Sequence, residues 1–231
     1  MIVKNGGIVM EKTIRVTGTG RILVKPDTIR LHINIKATCK EYNTTLETST
    51  KLTESLKDVI EKLGFNRKDL KTLYYNVDTV YESYQDRNKN WKERFEGYKF
   101  KHCTKLEFKS DNELLGKVLY ALAHCSAKPK IRLEYTISNP EEAKNALLGK
   151  AVKDSKEKAT VLSEAAGVVL GDIQTIDYSW GEIDFTIRPM NEVLTKCIGS
   201  DSYEESTGYN MDIEADDIDV TDTVTVVWSI L

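Results

Sequence analysis

Three histidines and four cysteines are the side chains of this 231-residue chain with the widest chemical reach. His102-Cys103 and His124-Cys125 each set a nitrogen donor beside a sulfur donor, a pairing that zinc accepts. On a strand, however, neighbouring side chains point to opposite faces, and His32 stands alone. Cys39, Cys103, Cys125 and Cys197 lie far apart, without the CxxC spacing of a zinc ribbon or a thioredoxin-type site. The histidines therefore read as buried or half-buried structural residues, and the cysteines as reduced thiols. Nucleophilic catalysis lacks its signatures: there is no GxSxG, no HExxH and no cysteine in a protease context. The pair Asp216-Asp217 falls in an acidic stretch, where solvation is expected rather than acid–base work. Gly18-x-Gly20 lacks the third glycine and the following helix that a dinucleotide site requires. Two glycines inside a strand instead mark a bulge or a close backbone approach. No catalytic, cofactor-binding or metal-ligating residue is expected, and no cofactor.

The elements that would position such residues form a repeat. Ile29, Leu31, Ile33 and Ile35 alternate with polar residues, and so do Ile131, Leu133, Tyr135 and Ile137. Each run leads into a long amphipathic stretch, about 41–63 and 140–166, whose apolar residues recur at helical spacing. Gly64 and Gly167 sit where a helix C-cap glycine belongs. After them, Asp69-Leu70-x-Thr72-Leu73-x-Tyr75 recurs as Asp172-Ile173-x-Thr175-Ile176-x-Tyr178. Strands are expected over 70–84 and 172–185. A polar loop at 85–90 precedes a strand with Tyr98, Phe100, His102, Thr104, Leu106 and Phe108 on one face. Ser110-Asp111 caps a short helix, and Asn139-Pro140 starts the second long one. Val220, Val224, Val226, Trp228 and Ile230 mark a last strand. Near the start, Ile14, Val16, Ile22 and Val24 alternate around the glycines. Pro26-Asp27 then makes a turn, so 12–24 and 28–37 are expected to form a hairpin.

The resulting fold class is α+β: antiparallel sheet with helices packed on one side and an internally duplicated βαββ layout. Residues 1–11 read as an N-terminal tail. Residues 12–231 read as one domain of two intimately packed repeats, about 28–108 and 130–230. Gly18, Gly20, Pro26, Asp27, Gly64 and Gly167 are its structural motif residues. Residues 182–222 hold twelve acidic side chains against Arg188 and Lys196, a local charge of −10, whereas the whole chain carries −3. The aperiodic, acidic stretch 186–216 reads as a flexible loop. Hydrophobic content of 40% and charged content of 30% fit a soluble globular protein. No apolar run reaches the roughly 20 residues of a membrane-spanning helix. The first ten residues lack the apolar core of a secretory signal, so a cytoplasmic location is expected.

The segment Ile14-Arg-Val-Thr-Gly-Thr-Gly-Arg-Ile-Leu-Val-Lys-Pro-Asp27 resembles the opening signature of the SIMPL-domain family: V-x-G-x-G, a few apolar residues, Pro-Asp, then an alternating strand. The helix carrying Ala151, Ala159, Leu162, Ala165, Ala166 and Gly167 is similar to the family's Ala-rich helix. Ile218–Trp228 resembles its terminal strand. The likeness covers about 12–230. It implies a duplicated α+β domain without known enzymatic activity or established ligand residues. Some members assemble into rings at the bacterial envelope, and an animal member binds a kinase. The expected function is that of a non-catalytic, self-associating structural or protein-interaction protein, with a second copy of itself as partner. The alternative is a small-ligand or nucleic-acid binding module using the sheet face or the cleft between repeats. Nucleic acid is the less expected partner: Tyr98, Phe100 and Phe108 fall on the apolar parity and read as core, and no RNP-like run is present.

Overall fold

Alternation in the strands and helical spacing between them produce seven strands and three helices in the computed structural model, which describes residues 12–178, 183–188 and 213–231. They are β1 (Thr13–Val24), β2 (Thr28–Cys39), α1 (Tyr42–Lys62), β3 (Lys71–Gln85), β4 (Trp91–Lys109), α2 (Asn112–Ala123), β5 (Lys130–Thr136), α3 (Pro140–Ala165), β6 (Leu170–Asp177) and β7 (Ile218–Ile230). The chain is α+β, with two antiparallel sheets. The N-terminal tail and the middle of the acidic loop lie outside the described residues.

Contacts divide the described residues into two compact units: 27–136 with 187–188 and 213–215, and 12–26 with 137–178, 183–186 and 216–231. In the first, the sheet order is β3-β4-β2-β5. Ile29, Leu31, Ile33 and Ile35 are at most 2% exposed. They point to the side covered by α1 and α2, which contribute Leu56, Ile60, Leu115, Val118 and Leu122. Burying each such side chain contributes about 1.5–3 kcal/mol. Asp111 starts α2 by accepting from the Glu113 and Leu114 amides, the cap expected there.

In the second unit the order is β1-β7-β6, with α3 packed on β1 and β7. The buried stripe of α3 repeats every four residues: Ala143, Leu147, Ala151, Ser155, Ala159 and Ser163. Small residues prevail because the strand side opposite is small too. A Cβ on Gly18 would sit 2.0 Å from the Ala151 carbonyl oxygen, and one on Gly20 would sit 2.2 Å from that of Leu147. The β1–β7 register runs without a shift from Thr13 to Val24. The glycines therefore make no bulge; they let a helix lie directly on a strand.

One expectation about pairing needs correction. β1 and β2 do not form a hairpin: β1 pairs only with β7, whereas β2 lies between β4 and β5. Alternation fixes which face of a strand is buried but not its neighbour. β5, the opening strand of the second repeat, pairs with β2, placing Leu133 opposite Leu31. β1 takes the place beside β7 that β2 takes beside β4. The helix–strand–strand part of the repeat stays together, but its first strands are traded.

Candidate functional site

The turn expected at Pro26-Asp27 ties three strand ends together. The Asp27 amide donates to the Thr136 carbonyl at 3.1 Å, and its own carbonyl accepts from the Ser110 amide at 2.8 Å. Gly64 and Gly167 both follow helix C-termini with positive φ, +91° and +69°.

The polar chemistry instead converges on Glu134, which the sequence reading did not single out. β5 carries it on the face opposite the helices, and its side chain is only 4% exposed. His32 Nε2 lies 2.8 Å from its Oε2. Arg188 Nε donates to its Oε1 at 2.9 Å, and Arg132 reaches the same oxygen at 3.1 Å. Arg30 stands 4.0 Å away and also binds Glu107, which Lys105 contacts at 3.0 Å. Burial acts to raise the Glu134 pKa. The hydrogen bonds from Arg188 and His32, with the charges of His32 and Arg132, outweigh it and hold the carboxyl below its ordinary range. Because the ionised carboxylate only accepts, His32 Nε2 carries the proton in their contact. An ionised carboxylate saturated by donors is a clamp, not an acid or a base. It holds Arg188, while the neighbouring Ile187 exchanges two 2.9 Å backbone hydrogen bonds with Tyr135. The start of the expected loop 186–216 is thus docked as a short added bridge on β5. The Tyr135 hydroxyl meets the Ile213 carbonyl at 3.3 Å, and Ile213 and Ala215 pack on the core. Residues 189–212 of that loop lie outside the described residues.

The other histidines have separate settings. His102 is 6% exposed on the helix side of β4. Its ring bridges Thr53 of α1 at 3.0 Å and Thr72 of β3 at 2.9 Å, with Tyr75 edge-on at 5.3 Å. Burial, then the positive charge of Lys57, pushes its pKa down, so the ring is neutral. His124 contacts the Tyr120 carbonyl at 2.8 Å. Among the described residues no group of histidine, cysteine and carboxylate ligands is placed to hold a metal. Cys39, Cys103 and Cys125 are free thiols; Cys197 lies outside the described residues.

A third region is apolar. The β3–β4 hairpin leaves Trp91 71%, Tyr81 56% and Phe95 46% exposed. The rings of Tyr81 and Phe95 belong to a ladder of edge contacts, Tyr81 to Phe95 at 5.8 Å, Phe95 to Tyr98 at 5.3 Å and Tyr98 to Tyr42 at 5.3 Å. Arg94 lies over Tyr84. β3 is also a sheet edge with most of its residues exposed on both faces. Alternation could locate the strands of this hairpin, but not the fact that these rings stay exposed.

Comparison with known proteins agrees with this architecture. The model of the SIMPL family, described as a protein of unknown function (DUF541), matches residues 14–228. The 26 kDa periplasmic immunogenic protein of Brucella melitensis biotype 1 is 24% identical over 163 residues, 71% of this chain. The protein of the same name from Brucella abortus strain S19 is also 24% identical over 163 residues. In both cases the match spans 65% of the relative's length, just under two thirds. With the family pattern running from β1 to β7, the chain belongs to the SIMPL family.

Proposed function

We propose that this protein works without catalysis, as a self-associating structural or protein-interaction protein. The observation that carries this reading is the β3–β4 hairpin. Its exposed ring ladder beside an open strand edge is the kind of surface that soluble chains guard or pair. Trp and Tyr are also the side chains that dominate interface energies. A second copy of the chain is the proposed occupant, with the exposed β3 backbone supplying strand pairing. Glu134 is taken up as a clamp and His102 is buried and doubly bonded, so neither is placed as an acid or a base.

For location, the three described cysteines are unpaired, as in a reducing compartment, and we keep the cytoplasm as the proposed site of action. No helix among the described residues is long and apolar enough to cross a membrane. The Brucella relatives carry the word periplasmic in their names, so fractionation of the expressing cell is the check on this point. The function is tested by light scattering on the purified chain and on the variant Tyr81→Lys/Trp91→Lys/Phe95→Lys. The wild type should weigh at least two chains and the variant one. Equal masses for the two, with both folded by circular dichroism, would remove the hairpin from the interface.

A further inference from the structure

The face of the four-stranded sheet opposite the helices carries lysines and arginines that outnumber its carboxylates Glu107, Glu134 and Asp78, which pair with only some of them. One row crosses all four strands. The register puts Arg132 of β5 opposite His32 of β2, His32 opposite Lys105 of β4, and Lys105 opposite Lys71 of β3. Neighbouring strands lie about 4.7–4.9 Å apart, so the row is close-spaced. A second group lies further along the sheet: Lys36 opposite Lys101, with Lys99 two residues away on the same face of β4. Between the two groups Asn34 and Tyr74 flank Cys103, and Tyr74 is 48% exposed.

Directly opposed like charges destabilise a sheet. Here Lys36 faces Lys101 and Lys71 faces Lys105, and local relief is limited. Glu134 and Glu107 are occupied by Arg30, Arg132, Arg188, His32 and Lys105, and Asp78 stands 4.0 Å from Lys101 while accepting from Asn76. Lys36 and Lys71 have no ion-pair partner among the described residues, and Lys99 faces Asp78 across the β3–β4 register. A fold that keeps lysine facing lysine with only partial compensation marks a place where function sets the residues. The partner that compensates it must be a polyanion.

We propose that this sheet face binds single-stranded nucleic acid. Alternate lysines on one strand are about 6.6 Å apart. That is close to twice the 3.4 Å rise per phosphate of a duplex strand, as expected for an extended single strand. Lysines along and across β4 take successive phosphates, and the exposed Tyr74 ring offers a stacking surface for one base, with Asn34 beside it as a hydrogen-bonding group. Sequence parity of single strands hid this: the cations are dispersed over 36–132 and converge only when β2, β3, β4 and β5 are paired. The reading does not rest on self-association: the lattice lies on the sheet face and the ring ladder on the hairpin, and the two share only β3, which carries Lys71 and Tyr74.

The test is fluorescence anisotropy of a labelled oligothymidylate titrated with the full chain. Binding should weaken roughly 20–50-fold between about 50 and about 200 mM salt, as release from three or four phosphates gives. Lys36→Gln/Lys99→Gln/Lys101→Gln should abolish it without lowering Tm, since that change removes like-charge repulsion. Lys51→Gln/Lys153→Gln/Lys156→Gln, the same charge change on the helices, should leave affinity within about twofold, and Tyr74→Ala should weaken it about tenfold. No anisotropy change at low salt would overturn the proposal, as would equal losses in the two triple variants. Displacement by polyglutamate as effective as by unlabelled oligothymidylate, with Tyr74→Ala silent, would equally overturn it in favour of a general acidic partner.

Discussion

The two long helices do the same job with opposite materials. α1 covers β2 and β4 with Leu56 and Ile60, and the strand beneath presents isoleucine and leucine. α3 covers β1 and β7 with alanine and serine, and the strand beneath presents Gly18 and Gly20. In the first unit large side chains interdigitate and volume is what counts. In the second, backbone meets backbone, and the absence of a Cβ is what counts. One duplicated helix–strand–strand motif thus supports two packing solutions. They should fail in different ways.

The largest effect is expected where there is no room to yield. Gly18→Val would drive a branched side chain into the Ala151 carbonyl and the Ser155 backbone. Overpacking usually costs about 1–3 kcal/mol, and a wall of helix backbone puts this case at the top of that range or above it. The chain passes between the two units four times, at residues 26/27, 136/137, 186/187 and 215/216. We therefore propose that the units melt together. Calorimetry should show one transition, shifted down in the variant; a separate low-temperature transition would mean that they unfold independently.

Leu56→Ala makes the complementary break. It opens a cavity under α1 instead of a clash and should cost about 3 kcal/mol by urea unfolding. If Gly18→Ala proved milder than Leu56→Ala, the contrast between the helices would be wrong. Glu134→Gln comes next. It keeps the shape but withdraws the charge that holds His32, Arg132 and Arg188, and should cost about 2 kcal/mol. The carboxyl pKa is depressed in the folded protein, so its contribution is present above the ordinary value of 4.5 and is lost as pH falls through the folded value. Wild type and Glu134→Gln should therefore converge in stability on acidification, a trend that thermal melts can follow.

The smallest effect is a pH slope from His102. Its pKa is lowered by burial and then by Lys57, so the unfolded state binds its proton first. Stability should decline as pH falls from the ordinary value of 6.5 toward the folded one. His102→Gln should flatten that stretch of the melting curve against pH.

What the sequence made legible follows from the same physics. The alternation of β2 and β4 and the spacing of α1 and α3 identified the buried faces, because burial is a local periodic demand. Their partners were not legible. The Pro26-Asp27 turn looked like a hairpin corner, yet it sends consecutive strands into different sheets. Gly18 and Gly20 announced an irregularity in β1 without saying that a helix 130 residues later lies against it. Glu134 gave no signal as one acidic residue in an alternating strand; only the pairing of β5 with β2 and the docking of Arg188 make it a clamp. The exposed rings of the β3–β4 hairpin follow the same alternation as core strands, and sequence period cannot tell a face covered by a helix from one left open.

Self-association is the central claim, and sedimentation velocity on the full chain across a concentration series from low to high micromolar tests it most directly. The account predicts a species of at least twice the 26.2 kDa chain mass that dissociates on dilution or persists as a closed assembly. A single species fixed at 26.2 kDa throughout the series would contradict it.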